Sequence, residues 1–152
     1  RRKGRVVLYK YSLWIFARDP VLPHEMMKKE YSIDGNNISN FKEFVQEFNK
    51  KVFKSDHWHG NIDTLDDMLD GGYGTPDESE DFTIFWENAS KSREDLDANE
   101  YLMWKMKGAD MRYADESFKK EIELAQSGLG MTMFMLLVNT IVNHKNIQLV
   151  LN

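Results

Sequence analysis

With 152 residues, 41% of them hydrophobic and 30% charged, the chain has the size and composition of one ordinary soluble domain. It has no cysteine, which excludes a disulfide framework, a thiol nucleophile and any cysteine-based zinc site, and which suits a reducing, cytoplasmic location. The net charge of −5 is unevenly spread: residues 1–54 carry twelve basic and six acidic side chains, residues 61–100 two basic and thirteen acidic, so the middle of the chain either repels nucleic acid or imitates it.

After the basic head RRKGR, residues 6–16 are rich in Val, Tyr, Trp, Ile and Phe, which favours a strand, though periodicity here equally allows a short buried helix. No run approaches the roughly 18 apolar residues needed to span a bilayer. Lys10 and two tyrosines interrupt the N-terminal apolar stretch, and no small-residue cleavage site follows, so no signal peptide is expected. Pro20 and Pro23 mark a loop, and YSIDG at 31–35 is a short strand ending in an Asp-Gly turn. Asn40 with Glu43 forms a capping box. Phe41, Phe44, Val45, Phe48 and Val52 then share one helical stripe.

The next helix is short. Gly60 permits a sharp turn, Asn61 is a good N-cap, Ile62, Leu65 and Leu69 repeat at helical spacing, and Gly71-Gly72 end the helix. FTIFW at 82–86 reads as a buried strand, SKSREDL at 90–96 as the start of a helix, EYLMWKMK and ESFKKEIELAQ as two more, residues 131–142 as a buried helix, and NIQLVL at 146–151 as a closing strand. Strands separated by helices predict an α/β fold with a small parallel sheet. The apolar runs at 82–86 and 147–151 suit strands buried on both faces.

The stretch HWHGNIDTLDDMLDGGYG, residues 57–74, concentrates the chemistry. Asp63 and Asp67 are four apart, as are Asp66 and Asp70, so each pair shares a helix face and costs about 0.2–0.5 kcal/mol in repulsion. Asp66, Asp67 and Asp70 also lie towards the negative end of the helix dipole. Such local frustration points to function, against a merely solvated acidic face.

Three readings compete. A metal site would use His57, His59, Asp63 and Asp67, but an H-x-H pair ahead of a helix turn is a weak motif. A metal-dependent or acid–base hydrolase would use His57, His59 and Asp63, yet paired carboxylates need a desolvated pocket, and the sequence has no P-loop, no G-x-S-x-G and no G-x-G-x-x-G. The best fit is a protein-binding surface without metal or cofactor. In it Trp58 and Tyr73 flank an acidic helix shaped for a basic cleft, such as the phosphate site of a nuclease. Trp14, Trp86 and Trp104, and the methionines at 103–111 and 131–135, are read as core, and His144 as an exposed turn residue.

The order IDGNNISNFKEFVQEF, WHGNIDTLDDML, FTIFWENASKSREDL and NIQLVLN resembles the barstar family of ribonuclease inhibitors over residues 31–152. The resemblance implies a three-stranded parallel sheet packed with helices, preceded by an N-terminal extension over residues 1–30 that adds a strand and carrying an insertion around 97–130. It also implies an immunity protein, not an enzyme, whose second helix and preceding loop plug the active site of a basic ribonuclease or related toxin. No membrane, nucleic-acid or small-molecule partner is implied. Carried over by motif, Asp63 and Asp67 match the family's key aspartates, Gly60 and Asn61 its loop contacts, and Trp58 and Tyr73 its flanking aromatics. Asp66 and Asp70 are expected to steer encounter. The chain departs from the pattern in four places. The loop from the glycine to the first aspartate is one residue shorter. Asp66 stands where a tryptophan is expected. The last helix has no carboxylate to supply the family's further acidic contact, and residues 1–30 and 97–130 are additional. A barstar-like scaffold with a non-nuclease partner is the remaining alternative.

Overall fold

The computed structural model describes residues 28–152 throughout and, before them, the backbone of two short strands. Those strands are β1 (Val6–Leu8) and β2 (Ile15–Phe16). The chain continues through β3 (Lys29–Asp34), α1 (Phe41–Phe48), α2 (Ile62–Leu69), β4 (Phe82–Glu87), α3 (Ala89–Asp95), α4 (Ala98–Met106), α5 (Glu116–Gln126), α6 (Met133–Val142) and β5 (Ile147–Leu151). The strands form one sheet in the order β2-β1-β5-β4-β3. β3, β4 and β5 are parallel, with β4 between its two neighbours, as the alternation of strands and helices predicts. β1 pairs antiparallel with β5 and β2 antiparallel with β1. The single strand read over residues 6–16 is therefore two strands. The Pro20–Pro23 loop, Trp14 and the basic head lie outside the described residues.

The helices begin where local chemistry starts them. Asn40 accepts a hydrogen bond from the Glu43 backbone N–H at 2.9 Å, and Asn61 accepts from that of Thr64 at 2.9 Å. Each satisfies a donor that the first helical turn leaves without a partner. The return bond of the first capping box reaches one residue further back than the motif predicts: the Glu43 carboxylate accepts from the Ser39 N–H at 2.7 Å. α1 stops earlier than its apolar stripe. A π-helical turn, Asn49–Phe53, follows it and ends at Lys54 with φ +54°.

The core is an aromatic relay. Trp58 lies edge-on to Phe44 and Phe48 of α1, at ring-centre distances of 6.0 and 5.9 Å. Phe44 lies 5.1 Å from Trp86 on β4, and Trp86 lies 5.0 Å from Phe134 on α6. The Trp86 indole N–H, buried with them, finds its acceptor in Ser92 Oγ at 3.0 Å, as a buried donor requires. Trp104 packs half-buried against this core. The methionines divide: Met68 and Met133 are buried, whereas Met103, Met106, Met111 and Met135 are exposed, so core filling does not account for those four.

Residues read from sequence as an insertion brace the molecule. Glu100 in the first turn of α4 accepts from the Phe41 N–H at 2.8 Å, satisfying a free donor at the start of α1. The Tyr101 hydroxyl and Lys105 both bond Glu121, at 3.2 and 2.9 Å, which ties α4 to α5. The Glu121 carboxylate holds the Lys105 ammonium above its usual range, and Lys105 in turn keeps Glu121 below the usual carboxylate range. Among the described residues no helix is long and apolar enough to cross a membrane.

Candidate functional site: the acidic face of the second helix

The loop into α2 is positioned from inside. Trp58 is wholly buried. Its indole N–H donates to the Asn61 carbonyl at 2.7 Å, and its own carbonyl accepts from the Asn49 side chain at 2.7 Å. Gly60 has φ +94°, and a Cβ there would meet the Phe41 ring at 3.2 Å. Its carbonyl accepts from the Trp104 indole N–H at 3.3 Å. Two expectations are thereby corrected. Trp58 is not an exposed anchor, because its ring fills the core, and Gly60 is buried beneath Phe41 and Trp104. Both act on the site from behind.

α2 then turns its apolar side, Leu65, Met68 and Leu69, into the core. At about 100° per residue, the four aspartates fall within one outward sector about 100° wide. All four are exposed, as is Asn61, and Tyr73 is 49% exposed just beyond the helix.

The four aspartates are not equivalent. α2 packs against α6, and His144, in the turn after α6, reaches back between two of them. Its Nε2 lies 2.9 Å from Asp66 and its Nδ1 3.1 Å from Asp70, with its side chain only 8% exposed. The reading of His144 as an exposed turn residue is thereby corrected. Among the described residues, the carboxylates of Asp63 and Asp67 have no hydrogen-bond or ion-pair partner. The face therefore has an inner pair committed to the protein itself and an outer pair left to solvent. No local pattern could have disclosed this division, because His144 stands 78 residues from Asp66 in the chain.

His57 and His59 are both exposed, and among the described residues no three His, Cys, Asp or Glu side chains are grouped to hold a metal ion. The grouping of His57, His59 and Asp63 that a metal-dependent hydrolase needs is absent there. An acid–base pair is no better supported, because Asp63 and Asp67 are exposed and nothing among the described residues desolvates them.

The model of the family described as barstar (barnase inhibitor) matches residues 29–124, from the first residue of β3 into α5. The chain belongs to the barstar family. The match takes in the whole of α2 and the loop before it, and also α4. No curated protein matches the chain, and no solved structure matches it.

Proposed function

We propose that this barstar-family chain is an inhibitor that occupies the basic active-site cleft of a ribonuclease, in the role of an immunity protein to a ribonuclease toxin in the cytoplasm. The observation that carries the reading is the pair Asp63 and Asp67: exposed, without partners among the described residues, and presented on a capped helix in a chain matched by the barnase-inhibitor family. Carboxylates on a fixed scaffold reproduce the charge of substrate phosphates and steer a cationic partner to its site. Asn61 and Tyr73 border the pair and complete the contact surface. Asp66 and Asp70 add to the steering field but are held by His144. Trp58 and Gly60 shape the surface without forming part of it.

The test is ribonuclease inhibition, with barnase as the probe and, beside it, any basic ribonuclease captured from the source cell. The wild type should inhibit at a stoichiometric ratio, and the Asp63→Ala/Asp67→Ala variant should not. Failure of the wild type against every enzyme in the set overturns the reading. Equal inhibition by both proteins keeps the inhibitor but moves the contact off α2.

A further inference from the structure

We propose that His144 is a positioning residue for partner binding: it bridges Asp66 and Asp70 to the end of α6, and so holds α2 in the orientation that offers Asp63 and Asp67. The inference rests on the inhibitor reading above and adds the element that fixes the site.

The geometry is specific. The two ring nitrogens face two different carboxylates, Nε2 to Asp66 at 2.9 Å and Nδ1 to Asp70 at 3.1 Å. A ring can donate from both nitrogens only when both carry protons; the neutral ring has one donor and one acceptor. Asp66 and Asp70 are one helical turn apart, so alone they repel, and both lie towards the negative end of the α2 dipole. A ring that donates a hydrogen bond to a carboxylate, and to both when both nitrogens carry protons, offsets that repulsion. The ring end of the bridge is shielded, with the His144 side chain 8% exposed, while the Asp66 and Asp70 side chains remain 55% and 54% exposed.

The remaining restraints on α2 act elsewhere. Its N-terminal turn is held by the Asn61 cap, its apolar side by Leu65, Met68 and Leu69, and its last turn by the Thr75 hydroxyl, which donates to the Met68 carbonyl at 3.4 Å. Rotation about the helix axis is resisted on the polar side only by the His144 bridge among the described residues. A small rotation would carry Asp63 and Asp67 away from their aim, and a charge pair in an interface tolerates little misplacement.

The experiment is a double-mutant cycle on the full chain with His144→Ala, Asp66→Asn/Asp70→Asn and their combination. It is read by amide hydrogen exchange across α2 and by inhibition of barnase. His144→Ala should speed exchange in residues 62–70 about tenfold and weaken inhibition about tenfold. It should do neither once Asp66 and Asp70 are already amides, because no like charges then remain to be bridged. A histidine that merely fills space would give the same loss in both backgrounds, and that result overturns the inference. So does unchanged exchange in the single variant. Coupled exchange with undiminished inhibition, while Asp63→Ala/Asp67→Ala abolishes it, also overturns the positioning role but leaves the inhibitor reading standing. If the wild type fails to inhibit barnase, the inhibition arm is read with whichever ribonuclease it does inhibit; failure against all of them overturns the inhibitor reading, whereas uncoupled exchange overturns the positioning role by itself.

Discussion

The Trp58 indole donates to the carbonyl of Asn61, three residues ahead, from within the core. The residue that caps α2 is thus tied to a buried ring through its backbone and to Thr64 through its side chain. The loop into α2 is thus shaped from behind by a buried tryptophan. Trp58→Ala should cost about 3–5 kcal/mol of folding stability, the range for removing a large aromatic from a packed core. Chemical denaturation followed by circular dichroism checks this. A loss below about 1 kcal/mol would mean that the ring is not seated as described.

Asn61→Ala should cost about 1 kcal/mol by leaving the Thr64 N–H without its acceptor. Asn61→Asp should cost little, since aspartate caps as well. Equal losses for the two substitutions, in the same denaturation measurement, would remove the cap from the account of α2.

Gly60 and Trp104 act together on the turn before α2. Gly60→Ala places a side chain at φ +94° against Phe41, and should destabilise by more than about 1 kcal/mol. Trp104→Phe keeps most of the packing but loses the bond to the Gly60 carbonyl, at a cost of about 1 kcal/mol. Because the two residues share that bond, the pair of substitutions should be less than additive in thermal melts.

Asp63→Ala/Asp67→Ala should separate binding from folding. Neither carboxylate has a partner among the described residues, so the melting temperature should hold steady or rise slightly as repulsion along the helix is relieved. Each truncation should cost about 2–5 kcal/mol of ribonuclease binding if the carboxylate meets a desolvated cation. Calorimetric titration with the inhibited enzyme measures this. A loss below about 1 kcal/mol per residue would move the interface elsewhere.

Acid should act partly through Asp34. The Asn36 backbone N–H first, and the Asn88 side chain second, hold its carboxyl below the ordinary aspartate range. A depressed folded value means that this contribution is fully present above the ordinary range and is lost as the pH falls through and below it. Asn88→Gly removes the side-chain donor while tolerating the φ of +53° found there. The variant should lose less stability than the wild type over that acidic interval. Parallel denaturation curves for the two proteins would rule out this contribution.

What could be read before folding was whatever depends on near neighbours. Asn61 ahead of Ile62, Leu65 and Leu69 set the start and extent of α2, because capping and apolar periodicity act within a few residues. Apolar runs alternating with helices set the three parallel strands by the same local logic. Position along the chain does not say which way a side chain points once distant segments close on it. By its place in the sequence, beside the acidic helix, Trp58 reads as a surface aromatic. The rings of α1, folded against it, took it into the core, because burying so large an apolar surface outweighs exposing it. The four aspartates looked alike along α2. Only the return of the chain after α6, which brings His144 between Asp66 and Asp70, divided them into a pair in contact with that ring and a pair whose carboxylates have no partner among the described residues. Charges sort by distance in space, and that distance is set by tertiary packing.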